Sequence, residues 1–435
     1  MITKRSHTGV RMRLRPKAVA VTVGLVLPLA AGCGGSGGVP GPAGSHAAQV
    51  PPPATGGAGP ATPGAGSSFP ASGLVISAGC TVPADSPAKV WVSGYDPSSW
   101  KKVASAQFTL PANVAISPVS GQDLSALDAL CAGNFPVPGS DDGAPSDQAF
   151  GPEVRQLFDH DFTHLAVVTS DAKTGASHVG YVDLAGKFTD LTGDSTGFTS
   201  TPAERDALFA PDGSSVWFSY RDAAGQQHIA SRAVSGGHQI TEQWTGAPGT
   251  LGNVTLALGG SPLHGVLGGD LSFSPDGKRV VGFVDGQGEN VVNVAASGLL
   301  STASAPAAIP DLDCRPVGWV DDHTILCGHS ALGSVDSSGA NYQNNIWTID
   351  VDKMQPGAWD HAKDAASPPL LPVTDRKNLP VAISPDGKRV LFRSLQGSTE
   401  QPFVTDLTPG AQPQQITAPD AATALGTGDV VIDWR

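Results

Sequence analysis

Four short clusters in this 435-residue chain carry side chains that could do chemistry. Gly193-Asp194-Ser195-Thr196-Gly197 has the Gly-x-Ser-x-Gly spacing, in which a serine on a strained turn between a buried strand and a helix becomes an exposed nucleophile. Here the run follows a polar strand and leads into Phe198-Thr-Ser-Thr-Pro-Ala203, so it reads as a connecting loop. Asp159-His160-Asp161-Phe162-Thr163-His164 gathers two carboxylates and two imidazoles, donors that suit a divalent metal. Asp321-Asp322-His323 repeats that mixture on a smaller scale. Asp285-Gly-Gln-Gly-Glu289 offers oxygen ligands without the Asp-x-Asp-x-Asp-Gly order of a calcium loop. The last three fall at turns between strands, so the reading is structural: no catalytic residue, no metal site and no cofactor.

Those turns belong to a recurring phrase. It stands at Leu271-Ser-Phe-Ser-Pro-Asp-Gly-Lys-Arg-Val280 and Val381-Ala-Ile-Ser-Pro-Asp-Gly-Lys-Arg-Val390, with a variant at Leu208-Phe-Ala-Pro-Asp-Gly213. Pro211, Pro275 and Pro385 preset φ for the first central position of a type I turn. Asp212, Asp276 and Asp386 tolerate the second, and Gly213, Gly277 and Gly387 take the left-handed residue that closes a bulged hairpin. In this alignment Asp161 occupies the turn-Asp position of a degenerate copy, and Asp321-Asp322-His323 is the turn of another.

Strands follow each turn in groups of four. The first candidates, Lys89–Ser93 and Ala104–Leu110, are followed by Val114–Pro118, and a short helix is expected near Leu124–Leu130 inside a loop-rich insertion. Taking the Ser of each turn or its equivalent gives Asp159, Ala210, Ser274, Val320, Ser384 and Arg435, at intervals of 51, 64, 46, 64 and 51 residues. Blade repeats of about 40 to 50 residues account for this once insertions are allowed. The expected fold is all-β, a six-bladed β-propeller. Val430–Arg435 supplies only the first strand of a unit, so N-terminal strands from 73–118 must complete that blade and close the ring. Seven blades are the alternative, if Val114–Pro118 opens a blade of its own. The propeller then spans 73–435, with 73–118 in the closing blade, 119–152 an insertion and 153–435 the repeats.

Ahead of it, residues 1–17 carry six Lys or Arg and no acid, and an apolar run covers Ala18–Ala31. That is a secretory signal peptide, 1–32, shorter than the roughly 20 apolar residues of a membrane span. Without a twin-Arg pair, the Sec route is expected. Residues 33–72 are Gly, Pro, Ala and Ser with almost no charge, which makes a disordered tether. Removing 1–32 leaves 20 Lys and Arg against 39 Asp and Glu, a charge of −19 that disfavours nucleic acid. Cys80, Cys131, Cys314 and Cys327 form an even set in an exported chain and allow three pairings. Cys314 and Cys327 flank a short hairpin and can pair across it, which leaves Cys80 with Cys131.

Two resemblances sharpen this. Leu29-Ala-Ala-Gly-Cys33 resembles the lipobox of bacterial lipoproteins, which implies a palmitate-bearing Cys33 and anchoring to the outer face of the cytoplasmic membrane. The Phe-Ser-Pro-Asp-Gly-Lys-Arg-Val motif resembles the WD-like repeats of TolB, found also in the propellers of prolyl oligopeptidase and tricorn-type proteases, over roughly Arg155–Arg435. It implies a six-bladed propeller. No alternation of helix and strand builds the small α/β domain that precedes it in TolB. The expectation is a monomeric, lipid-anchored, non-enzymatic module that binds a protein, peptide or glycan. The alternative is a propeller enzyme, a hydrolase or lyase, with two or more carboxylates, or His with carboxylate, around one cavity. Inserted loops at Gly246–Gly269 and Gly328–Tyr342 are expected on the face opposite the turns, where binding concentrates.

Overall fold

The computed structural model describes residues 69–114, 116, 125–132, 151, 154–171, 176–192, 204–246, 270–296, 307–308, 315–328, 344–353 and 365–435, with short breaks at 211, 225, 238, 277–278, 287–288, 373 and 398. The leader, Cys33 and the tether up to residue 68, with Gly193–Gly197, Pro211, Gly277 and Cys314, lie outside the described residues, whereas Phe69, within the expected tether, is buried in the core against Phe162.

The first sheet contains β1 (Val75–Thr81), β2 (Lys89–Tyr95) and β3 (Lys102–Thr109). After the helix α1 (Ala126–Ala132), the second contains β4 (His164–Ser170), β5 (Ser177–Asp183) and β6 (Phe188–Asp190). The third runs through β7 (Arg205–Phe209), β8 (Ser215–Arg221), β9 (Gln227–Ala233) and β10 (Ile240–Gly246). The fourth runs through β11 (Asp270–Phe273), β12 (Arg279–Gly286), β13 (Glu289–Ala296) and β14 (Ala307–Ala308). The fifth has β15 (Arg315–Trp319), β16 (Thr324–Gly328) and β17 (Trp347–Asp350). The sixth has β18 (Lys377–Ile383), β19 (Arg389–Gln396), β20 (Thr399–Asp406) and β21 (Gln414–Gln415). A helical turn, α2 (Pro419–Thr423), then a π-helical turn (Ala424–Gly428), lead to β22 (Val430–Trp434). Every pairing within a sheet is antiparallel between chain neighbours except one: β22 joins β1, giving the order β22-β1-β2-β3. The two three-stranded sheets are extended by isolated bridges, Phe158 to Leu165 in the second and Ile349 to Ala366 in the fifth.

The apolar cores lie between neighbouring sheets. Phe108, Ile76 and Val92 meet Phe158, Leu165 and Val182 between the first and second, and Val179 and Ala166 meet Phe218 and Ala230 between the second and third. Leu326 and Ile346 meet Val390 and Phe392 between the fifth and sixth, and Leu391 and Val404 meet Val75, Val431 and Trp434 between the sixth and first. Strands with both faces covered lose the alternation that a half-exposed strand shows. That is why β1, with Val75, Ile76, Ser77 and Ala78 all fully buried, escapes a search for period two.

Of Val114–Pro118 only Val114 and Ile116 are among the described residues, and Val114 makes an isolated bridge to Thr169. The helix near Leu124–Leu130 is present as α1 and is tied to β1 by the Cys80–Cys131 disulfide. Cys327 is also disulfide-bonded.

Two turn glycines separate conformational from packing cost. Gly213 has φ 68° with open space where a Cβ would stand, whereas at Gly387, φ 66°, a Cβ would lie 2.4 Å from the Val320 carbonyl oxygen. Gly213→Ala is expected to cost about 1–2 kcal/mol from the left-handed backbone alone. Gly387→Ala should cost clearly more in the same denaturant titration; equal losses would remove the packing role.

Candidate functional site

The hairpin turns supply one end of the sheets, and the same backbone bond recurs at each. Asp159, Ala210, Ser274, Val320 and Ser384 donate their amides to the carbonyls of His164, Ser215, Arg279, Thr324 and Arg389 at 2.8–3.1 Å. Arg435 and Leu74, at the two ends of the described fold, exchange the equivalent pair at 2.9 and 2.8 Å. The side chains then specialise. Ser384 Oγ donates to Asp386 Oδ1 and accepts from the Arg389 amide, and Ser274 does the same with Asp276 and Arg279. The Ser384 hydroxyl and the Lys388 amide hold Asp386 below the usual carboxylate range, as the Ser214 amide and hydroxyl do for Asp212.

The degenerate copy keeps this alignment but moves the carboxylate's work. Asp159, at the Ser position, accepts from the Thr163 and His164 amides, while Asp161 pairs with His160. Here the carboxylate at the Ser position accepts from the returning amides, as the Ser384 hydroxyl does from Arg389. The acid–imidazole run divides into two pairs, with His164 Nδ1 2.7 Å from Asp159 Oδ2. Asp321 likewise accepts from the His323 and Thr324 amides. Among the described residues, no group of three or more His, Cys, Asp and Glu could hold a metal.

Neighbouring turns grip each other. Arg279 donates to the Asp322 carbonyl and pairs with Asp352, which also holds His323, and the Asp276 amide donates to Asp322. Arg389 lies over Trp434, and Arg435 donates to the His160 carbonyl. These groups are engaged in holding sheet to sheet.

At the other end the chain leaves β10 at Gly246, opposite Gln227, and leaves β16 at Gly328, opposite Arg315. Both registers place the departures away from the turns; the loop residues 247–269 and 329–343 lie outside the described residues. Asp285 and Glu289 belong to a hairpin in which Asp285 faces Asn290 and Gly286 faces Glu289.

A cavity of about 260 Å³ lies among α1, β4 and the start of β7, toward that same end of β7. Leu127, Leu157, Ala166, Val167, Val168 and Ala207 make its apolar wall. Asp128, Glu204, Arg205 and Asp206 bring charge to it. Each acid has a fixed position. Asp128 closes a capping box with Ser125, whose hydroxyl donates to Oδ2 at 2.8 Å and accepts from the Asp128 amide at 3.1 Å. Glu204, 1% exposed, accepts from Arg232 at 2.8 Å and from the Val179 amide at 2.6 Å. Arg232 extends to the Thr192 carbonyl, and Thr192 and Asp190 hold the buried His178. Asp206 has φ 60° in a bulge between Arg205 and Leu208, and Ser219 Oγ donates to its Oδ2 at 3.0 Å. Such a bulge re-aims a side chain at the inner edge of a sheet.

The sequence reading missed this site. Its only signal is the acid–base–acid run Glu204-Arg205-Asp206 ahead of an apolar strand, and Asp128 joins it from 76 positions away through a helix. The structure thus brings together residues outside every motif singled out above.

No protein-family model and no curated protein matches the chain. Solved structures do resemble it. TolB from Acinetobacter baumannii is 14% identical over 80% of this chain and 80% of its own, with a TM-score of 0.29. The β-propeller domain of the trilobed protease from Pyrococcus furiosus is 9% identical over 79% of this chain and 85% of its own, with a TM-score of 0.32. An oligogalacturonate lyase in complex with manganese is 12% identical over 60% and 63%, with a TM-score of 0.31. The all-β, propeller-type architecture is read from the strand pairing itself.

Two measurements test these networks. Arg232→Met would leave the buried Glu204 carboxyl without its counter-ion, with an expected loss of about 3–5 kcal/mol that Glu204→Gln in the same chain partly restores; a loss below about 1 kcal/mol would show the pair to be dispensable. The hydrogen bond to Asp159 raises the His164 pKa against burial. Despite burial, bonds from His164 and Thr163 lower that of Asp159. Stability from His164 is present below its unfolded pKa and lost as pH rises through the raised folded value; that from Asp159 is lost as pH falls through its lowered value. An NMR titration should place His164 above the ordinary histidine range, and Asp159→Asn should bring it back.

Proposed function

We propose that this chain is a lipid-anchored, extracytoplasmic β-propeller of the TolB-like kind, which binds a protein, peptide or glycan without transforming it. The observation that carries this reading is the division of the two ends of the sheets. Turn side chains at one end are spent on neighbouring sheets, whereas the charged cavity and the two loop departures lie toward the other. Rigid elements that present variable connections are the usual platform for recognition. Six sheets in chain order, equivalent hairpin bonds in each, and the pairing of β22 with β1 support six blades closed into one ring.

Localisation follows from the leader in this proposal. Cys33 carries the lipid after export by the Sec route, the tether spans from the membrane to Phe69, and the exported domain acts as a monomer at the outer face of the cytoplasmic membrane. The charge of −19 after residue 32 leaves nucleic acid out of the reading.

A propeller hydrolase or lyase is the second reading. It is favoured by three carboxylates lining one cavity, with Asp206 held in left-handed backbone. General acid–base work needs one of them to exchange a proton with substrate. Glu204 is held by Arg232 and Val179, so in this reading the exchange falls to Asp206, held by Ser219, or Asp128, held by Ser125.

Affinity capture from envelope membranes with the full chain distinguishes these readings. Asp206→Asn keeps the left-handed backbone and an acceptor for Ser219 while removing the charge. Binding predicts partners that are retained intact and depleted by Asp206→Asn or by deletion of 246–269. Partners unchanged by both changes would exclude the proposed face. Cleaved peptide or glycan products that disappear with Asp206→Asn would replace binding with catalysis.

A further inference from the structure

The seam between the chain ends holds ionisable groups that the binding reading does not use. Arg393, on β19 and buried, donates from Nε to the Leu425 carbonyl at 2.9 Å and from Nη2 to the Asp429 carbonyl at 2.5 Å. Both carbonyls belong to the π-helical turn and its exit, immediately before β22. The Asp429 side chain turns the other way, accepting from Ser77 Oγ of β1 at 3.0 Å and from Trp91 Nε1 of β2 at 3.1 Å. Residue 429 therefore fastens the sixth sheet, the C-terminal strand and the N-terminal hairpin together. Gly79 makes room for it: a Cβ there would stand 2.5 Å from Asp429 Oδ1 and 2.4 Å from the Trp91 ring.

Glu400 of β20 lies on the other side of Arg393. Its Oε1 is 3.7 Å from Arg393 Nε, too far for a hydrogen bond, and is buried without a hydrogen-bond donor among the described residues. The Glu400 carboxyl thus lies beside the buried guanidinium and the Asp429 carboxyl faces the N-terminal hairpin, and neither is solvated as it would be with the seam open.

We propose that this seam is a pH-responsive strap, in which Glu400 and Asp429 set how readily β22 and its preceding turn separate from β1 and β19. Opening returns both carboxyls to water, where they ionise more easily, so opening is favoured as pH rises. Burial raises the pKa of Asp429, against Ser77, Trp91, Arg393 and Lys102, and burial raises that of Glu400, against Arg393. Tyr95 is pushed up to about 12 by burial and then by Asp429, with a smaller effect from Asp420, so it stays neutral throughout. The sign follows: a carboxyl whose folded pKa is raised contributes stability below its unfolded pKa and loses it as pH rises through the folded value. The seam is tighter in weak acid than near neutrality. The exposed turn acids behave oppositely, since Asp386, Asp212 and Asp352 have lowered pKa values.

Hydrogen exchange on the full chain, corrected for intrinsic exchange at each pH, tests the strap. Peptides covering 425–435 and 74–81 should open about three- to tenfold more often at pH 7.5 than at pH 5. Peptides of β8 and β9, remote from the seam, should not share that trend. Glu400→Gln removes one charge at nearly constant shape and should reduce the ratio, with protection at pH 7.5 approaching that at pH 5. Arg393→Met should loosen the seam at both values, which separates a folded but unstrapped chain from a misfolded one. Equal opening at the two pH values in the wild type, or a ratio unchanged by Glu400→Gln, would overturn the proposal.

Discussion

The architecture depends on backbone pairing between the two ends of the folded chain. Without β22, β1 would present an unpaired edge carrying the fully buried Val75, Ile76 and Ala78. Without β1, β22 would be a single strand with nothing to pair on either side. Joined, they let one five-residue strand serve two cores: Val430 and Ile432 enter the core shared with the second sheet, while Val431 and Trp434 enter that shared with the sixth. Loop-closure entropy rises only with the logarithm of loop length, so pairing residues more than 350 positions apart is less costly than that separation implies.

That constraint explains the division of labour between the ends of the sheets. Each hairpin turn must hold its own sheet and reach a neighbour, so Ser, Asp, Arg and Gly there are chosen for short, local geometry. Gly387 against Val320 and Arg435 against His160 are examples in which a turn residue is needed by the adjoining sheet. Chemistry at these positions would compete with that packing. The far ends carry no such obligation, and it is there that the carboxylates of the cavity and the departures at Gly246 and Gly328 are found.

The repeat was legible in the sequence because Pro-Asp-Gly turns have a local cause. Residues 271–280 and 381–390 contain all the information needed to form a hairpin, and even the degenerate copy at 159–164 keeps an acid to accept the returning amides. Pairing of β22 with N-terminal strands was legible by counting, since one strand was left over. The cavity was not. Asp128, Glu204 and Asp206 converge through a helix, a buried ion pair and a bulge, none of which leaves a period or a spacing. The clasp at Asp429 was equally silent, as its partners Ser77 and Trp91 lie 352 and 338 positions away.

The two buried guanidiniums share a physical reason. The regular sheets satisfy their backbone groups by pairing, and need no buried charge to do so. Arg232 reaches the Thr192 carbonyl where the second sheet's last strand has ended, and Arg393 reaches the Leu425 and Asp429 carbonyls where a π-helical turn leaves acceptors unpaired. A rigid fork with five donors can serve such irregular carbonyls together with a carboxylate, which a lysine ammonium does less well. Once placed, each guanidinium requires a counter-ion, and Glu204 and Glu400 follow from it. Glu204 is fully hydrogen-bonded and serves to fix the cavity wall. Glu400 is not, and that mismatch is what the response of the seam to protons rests on.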